Sequence, residues 1–209
     1  MDSVKAVIFD LGGVLINLAP ERTRAAFEQL GIGDFDRLFT VYHATPLFDQ
    51  LETGHVGPEA FVQALRKELP EDVTDKAVID AWNAMLLDFR INSLRFVETL
   101  NAQLPVFLYS NTNIIHYASF QQTLRDTTPY HTLDMLFRKA YYSHKIGHRK
   151  PDPGGYQHIL AEQGLEANRT LFVDDNKSNI EGAMALGLQT LHLLPGETVE
   201  STLHQLLIS

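Results

Sequence analysis

Five short apolar runs constrain this chain most: Val4 to Phe9, Val106 to Tyr109, Lys139 to Tyr142, Thr170 to Val173 and Gln189 to Leu193. Each spans four to six residues rich in Val, Ile, Phe, Tyr or Leu, the composition of strands covered on both faces. The segments that follow most of them carry helical spacing. Tyr156, Ile159 and Leu160 share one helical face, and Ile180, Ala183, Met184 and Leu186 another. Gly164 and Gly187 stand where a helix end favours a residue tolerant of positive φ. Strand alternating with helix predicts a doubly wound α/β sandwich.

The stretch from Asn17 to Arg90 breaks that rhythm. It shows no convincing strand, only helical patterns at Thr23 to Leu30, Phe35 to Tyr42, Pro58 to Glu68 and Thr74 to Leu87. Pro58-Glu59 opens one helix with proline in the first turn and an acid beside it. An all-helical insertion over 17–90 is therefore expected between a core of 1–16 and 91–209. The 209 residues suit this division, being longer than a single domain of about 150 and shorter than two.

Composition narrows the function classes. Cysteine is absent, which excludes disulfides, thiolate metal sites and a cysteine nucleophile. With 17 basic and 26 acidic residues the formal charge is −9, the wrong sign for a general nucleic-acid or anionic-membrane binder. No run reaches the roughly 18 apolar residues that span a bilayer. The N-terminal Met1-Asp2-Ser3-Val4-Lys5 does not read as a signal peptide, so Asn168-Arg169-Thr170 reads as a chance glycosylation match and a cytoplasmic location is expected.

Ligands of open α/β sheets bind outside the carboxyl ends of the strands, so the residues just past each run are the ones to inspect. The first run ends in Asp10-Leu11-Gly12-Gly13, the second in Ser110-Asn111-Thr112, the fourth in Asp174-Asp175-Asn176, and His148-Arg149-Lys150-Pro151 lies between the third and fourth. Singly, these are ordinary turn and cap residues. Together they would converge on one edge, and the chemistry they suggest is phosphoryl transfer. Asp10 can attack phosphorus as a carboxylate and form an aspartyl phosphate. Asp175, with Asp10 and Asp174, can hold Mg²⁺, a hard cation that prefers carboxylates and water. Ser110 and the backbone N–H groups of Asn111 and Thr112 can donate to phosphate oxygens at a helix start. Lys150 would add a compact positive charge from the opposite side.

These residues resemble the haloacid dehalogenase superfamily of hydrolases. Its four motifs occur in order: Phe9-Asp10-Leu11-Gly12-Gly13-Val14-Leu15, Tyr109-Ser110-Asn111-Thr112, Arg149-Lys150-Pro151, and Phe172-Val173-Asp174-Asp175-Asn176 with Asn179-Ile180-Glu181-Gly182-Ala183. The resemblance implies a Rossmann-like core with a C1-type helical cap, a Mg²⁺ cofactor and an aspartate nucleophile. Within the superfamily the pattern is most similar to bacterial small-molecule phosphatases, including the type acting on α-glucose 1-phosphate. That implies a small phosphorylated metabolite, a sugar phosphate above all, as substrate.

One position departs from the superfamily's common pattern. Gly12 stands where most of its phosphatases carry a second aspartate as general acid/base. The same position usually binds the metal through its backbone carbonyl, which Gly12 retains. General acid/base groups contribute about 10²–10⁴-fold, so slower turnover is expected, least so for good leaving groups. Metal-free 2-haloacid dehalogenases also lack that aspartate, but they carry a bulky aromatic there and no metal-binding acidic pair. A catalytically weak binding protein is the third reading, suggested only by Gly12. Receiver domains use a similar kit with the acidic pair ahead of the phosphorylated aspartate, the reverse of the order here. His144 and His148 read as a solvated pair on a loop rather than as metal ligands. Tyr42, Phe48, Phe61 and Trp82 read as packing within the insertion. Phe48 to Gly54 and Asn17 to Arg22 are the candidate specificity segments.

Overall fold

The computed structural model describes residues 4–35 and 47–204. Ala6–Phe9 (β1), Val106–Ser110 (β4), Lys139–Tyr142 (β5), Thr170–Asp174 (β6) and Gln189–His192 (β7) form one sheet in the order β5-β4-β1-β6-β7. Every pairing in it is parallel. All five apolar runs are strands, with ends shifted by at most two residues. Side chains alternate between faces along a strand, and both faces of the central strands are buried. Val7, Phe9, Val106, Leu108 and Val173 belong to one hydrophobic cluster, while Ala6, Ile8, Phe107, Tyr109 and Phe172 belong to another.

Helices cover each face. Ile91–Asn101 (α5), Ile114–Thr127 (α6) and Val199–Thr202 (α10) contribute Leu94, Phe120 and Val199 to the first cluster. Pro153–Gln163 (α8) and Lys177–Ala185 (α9) contribute Tyr156, Ile159, Ile180 and Ala183 to the second. The result is the three-layer, Rossmann-like α/β sandwich. Gly164 (φ +62°) ends α8 in the left-handed region, as its position in the sequence suggested. Among the described residues no helix is long and apolar enough to cross a membrane.

The insertion carries Pro20–Gln29 (α1), Leu47–Glu52 (α2), Pro58–Arg66 (α3) and Asp75–Asn83 (α4). Phe27, Phe48, Leu51, Phe61, Leu65, Val78 and Trp82 bury one another in a third cluster, which touches the core through Ile115 of α6. Two expectations need correction. The stretch is helical but not free of strands: Ile16–Leu18 (β2) and Leu86–Phe89 (β3) pair antiparallel at its entry and exit. The helix expected from Thr74 to Leu87 is capped by the Thr74 side chain and ends at Asn83, because Leu86 and Phe89 are taken into that ribbon opposite Leu18 and Ile16. Strands of three and four residues are too short to show a period of two against a helical background. The expected helix Phe35 to Tyr42, with Tyr42 itself, runs outside the described residues.

Gly155 of α8 sets the closest approach of helix to sheet. A Cβ there would lie 1.8 Å from Oη and 2.4 Å from Cζ of Tyr109, a fully buried residue of β4. Gly33 has no atom within 4 Å of its Cβ position. Gly155→Ala is therefore expected to cost about 1–3 kcal/mol through overpacking, and Gly33→Ala to be neutral or stabilising by up to about 1 kcal/mol. Paired urea melts check this, and equal midpoints for the two variants would refute it.

Candidate active site

The order β5-β4-β1-β6-β7 reverses its direction of growth between β1 and β6, the switch point where open α/β sheets bind ligands. Asp10 follows β1, its backbone N–H donating to the Val173 carbonyl at 2.9 Å. Asp174 ends β6 and Ser110 ends β4. The sheet register therefore brings the first, second and fourth motifs to one edge.

Lys150 completes the cluster across the loop ahead of α8. Its ammonium lies 2.6 Å from Asp10 Oδ1 and 2.7 Å from Asp174 Oδ2, with its side chain 1% exposed. The sequence reading put this charge across the phosphate from Ser110, Asn111 and Thr112; the structure seats it between Asp10 and Asp174. Asn111 sets that position. Its Nδ2 donates to the Lys150 carbonyl and its Oδ1 accepts from the Lys150 N–H, both at 2.8 Å. Asn111 thus reaches the site as a clamp on the lysine backbone.

Asp174 is fully buried and its acceptor positions are filled. Oδ1 accepts from the Asn176 N–H at 2.8 Å, Oδ2 from Lys150, and both from Asn179 Nδ2 at 3.1 Å. Such a carboxylate orients its neighbours, which leaves more acceptor room on Asp10 and Asp175. Asp10, Asp174 and Asp175 still each offer an oxygen within 4.8 Å of the others. An all-oxygen, anionic donor set of this kind fits a hard divalent cation. Gly13 makes room for it: at φ +67°, its Cβ would fall 2.0 Å from Asp175 Oδ2. At Gly12 a Cβ would meet Leu18 Cδ1 at 2.7 Å, so Leu18 of β2 occupies the space a side chain would need.

Burial dominates the electrostatics. It raises the Asp10 pKa to about 7; the Lys150 charge opposes the shift, while Asp174 and Asp175 reinforce it. Asp175 is also raised, by burial and then by the Asp174 charge. Lys150 is held above its usual value because Asp10 and Asp174 together outweigh its own desolvation.

The expected phosphate donors divide. Ser110 and Asn111 line the cavity beside the carboxylates. The Thr112 N–H, however, donates to Ser143 Oγ at 2.9 Å, and α6 is capped by Asn113, whose Oδ1 accepts from the Ile115 and His116 N–H groups. The backbone of Thr112 is therefore spent within the core. The two histidines differ from expectation as well. His144 sits in the one-turn helix Ser143–Ile146 (α7), half-buried against Tyr117 at 5.5 Å, and burial lowers its pKa to about 4. His148 is exposed beyond it.

Two cavities adjoin here. A 290 Å³ cleft lies over Asp10, Lys150 and Asp175, and a 430 Å³ cavity lies beneath the insertion. Gly12, Leu18, Asn111 and Arg149 line both. Both candidate specificity segments reach the larger one, through Leu18, Pro20 and Glu21 and through Phe48, Asp49 and Glu52. Arg149 ties the second segment to the Lys150 loop by ion pairs to Asp49 and, at 2.9 Å, to Glu52. Sequence reasoning quoted Asn179, Gly13 and Arg149 within the motifs but assigned them no role in the site. Asn179 was legible in principle, since the first turn of a helix after the Asp174 strand points back toward the strand end. Arg149 was not, because its partners are a hundred residues away.

Removing the ammonium tests this arrangement. Lys150→Met would leave Asp10 and Asp174 facing each other buried, so a loss of about 3–5 kcal/mol is expected near pH 7. Without the lysine Asp10 titrates still higher in the folded state than its value of about 7, while the unfolded chain releases that proton near 3.8. The variant's folded state then holds a proton that wild-type Asp10 gives up above about pH 6, so the variant's deficit must shrink as pH falls from about 9 to about 6. Urea melts of both proteins in EDTA at about pH 6 and 9 measure it; a deficit that widens toward pH 6 would contradict the assignment.

Comparison with known proteins agrees with this geometry. A D-ribitol-5-phosphate phosphatase of Bacteroides thetaiotaomicron is 29% identical over 189 residues, covering 90% of each chain. A sesquiterpene phosphatase of Aspergillus oryzae is 30% identical over 192 residues, covering 90% of this chain and 89% of its own. A haloacid dehalogenase family enzyme of Bacteroides thetaiotaomicron, solved with magnesium and inorganic phosphate, superposes with a TM-score of 0.83 at 31% identity, over 93% of this chain and 96% of that one. The profile of the haloacid dehalogenase-like hydrolases matches residues 4–187, and the chain belongs to that family.

Proposed function

We propose that this protein is a Mg²⁺-dependent phosphatase of small phosphorylated metabolites, working through an aspartyl phosphate on Asp10. The observation that carries the reading is the Asp10–Lys150–Asp174 bridge with Asp175 beside it, at the switch point of the sheet. The phosphatase names of two relatives, and the magnesium and phosphate held by a solved one, support it. Lys150 holds Oδ1 of Asp10 and so leaves Oδ2 to attack phosphorus. As the O–P bond forms, the ester P–O bond breaks and the leaving oxygen departs as the alcohol, taking its proton from water because Gly12 offers none. Water then attacks the phosphoryl group, returning inorganic phosphate and free Asp10. Ser110 donates to a phosphoryl oxygen, and Lys150 keeps Asp10 ionised against burial. Mg²⁺, held by Asp10, Asp175 and the Gly12 carbonyl with Asp174 behind them, screens the carboxylate from the substrate's charge and stabilises the equatorial oxygens. Residues 17–90 act as the cap that excludes water and reads the leaving group. A cytoplasmic location fits such substrates. The resemblance pointed to a sugar phosphate, whereas the two named relatives differ in leaving group, one a pentitol and the other a sesquiterpene.

Phosphate release is expected to require Mg²⁺ and to fall at least about 10³-fold in Asp10→Asn. Chloride release from a 2-haloacid without metal would replace this reading with the dehalogenase one. Beryllium fluoride should bind the wild type only with Mg²⁺ present, and calorimetry showing no such metal-dependent binding would favour a non-catalytic protein.

Restoring an acid at position 12 should raise turnover on alkyl phosphates, within the range of about 10²–10⁴ for general acids. Because Leu18 fills that space, Gly12→Asp combined with Leu18→Ala should gain more than Gly12→Asp alone. Steady-state kcat for the three proteins decides it; equal or lower rates in both variants would show that residue 12 does not limit turnover.

A further inference from the structure

We infer that the leaving group this site accepts is predominantly hydrocarbon: a phosphomonoester carrying an alkyl or aryl chain in the cavity beneath the insertion. The inference rests on the phosphatase reading above and departs from the sugar phosphate. At 430 Å³ the cavity is the size of a site for a drug-sized ligand, and it joins the carboxylate cleft at Gly12 and Leu18. Its described wall includes Leu18, Phe48, Trp82, Met85, Leu86 and Phe120.

Several of the polar groups in that wall already have partners. Thr23 Oγ1 donates to the Trp82 carbonyl at 3.2 Å and accepts from the Met85 N–H at 3.1 Å. His116 contacts the same carbonyl through Nε2 at 3.0 Å and Asn113 Nδ2 through Nδ1 at 3.1 Å. Burial lowers its pKa to about 4 and keeps it neutral. Asn111 is spent on the Lys150 backbone. Asp49 and Glu52 face Arg149, and Glu21 and Arg24 stand exposed at the mouth. The buried indole N–H of Trp82 and the Nε–H of Arg149 have no hydrogen-bond partner among the described residues, and each could meet one oxygen. A polyol would bring several hydroxyls, most of which would lose water without gaining a partner. A hydrocarbon loses nothing by entering and gains with each methylene buried.

Trp82 is the chain's single tryptophan, so its emission reports occupancy of this cavity. Alkyl phosphonates, whose P–C bond the reaction does not break, allow titration of the wild type with Mg²⁺ from ethyl to decyl. Kd is expected to fall about fourfold per methylene until the cavity is full, with a saturable change in Trp82 emission. Half-exposed Met85 offers a variant, Met85→Gln, in which this slope should flatten. In turnover, octyl phosphate should exceed a pentitol phosphate in kcat/KM by at least tenfold. A flat chain-length dependence in the wild type, or a pentitol phosphate preferred over octyl phosphate, would overturn the inference. Mg²⁺-dependent hydrolysis of p-nitrophenyl phosphate, with that flat dependence, would leave the phosphatase reading standing; no hydrolysis of any phosphomonoester would remove both.

Discussion

A single ammonium holds the centre of this protein together. Lys150 reaches from the loop ahead of α8 to lie between Asp10 and Asp174, two carboxylates that end neighbouring strands and that burial would otherwise protonate or drive apart. Charges out of water are tolerated only when paired and fully hydrogen-bonded. Asn111 on the lysine backbone, and Asn176 and Asn179 on Asp174, complete that pairing. The polar network is closed toward the core and open toward the cleft, where Asp10 and Asp175 keep room for a cation and a phosphoryl group.

The insertion depends on the same centre through two links. The β2–β3 ribbon anchors it through Ile16 and Phe89, which pair with each other and are buried in the first core cluster, and Arg149, adjacent to Lys150, pairs with Asp49 and Glu52 of α2. The loop that places the catalytic lysine therefore also grips the wall of the larger cavity. His116 adds a contact from α6 to the Trp82 carbonyl of α4. Both cavities share residues at this junction, so changes in leaving-group contacts have a short path to the phosphoryl site.

Much of this was legible from residue order. The five strands, the interruption after the first of them and the convergence of Asp10, Ser110, Lys150 and Asp174-Asp175 all follow from local patterns and one rule about strand ends. What escaped was of two kinds. The ribbon strands were too short to display a period. The roles of Asn111, Thr112 and Arg149 depend on partners far along the chain: the Asn111 side chain clamps the Lys150 backbone, and the Thr112 N–H, read as a phosphate donor, is taken by Ser143. Asp174 reads only as support for Asp175, and its three donors, Asn176, Asn179 and Lys150, show what that support consists of.

By itself the sequence determined the α/β layering and which side chains gather at the strand ends, because strand periodicity and strand-end position are local properties. Only the tertiary structure decided which donors remain available, where the ammonium sits and how apolar the leaving-group cavity is. Those depend on which polar atoms are already paired, and pairing is settled by distances between segments that no local pattern encodes.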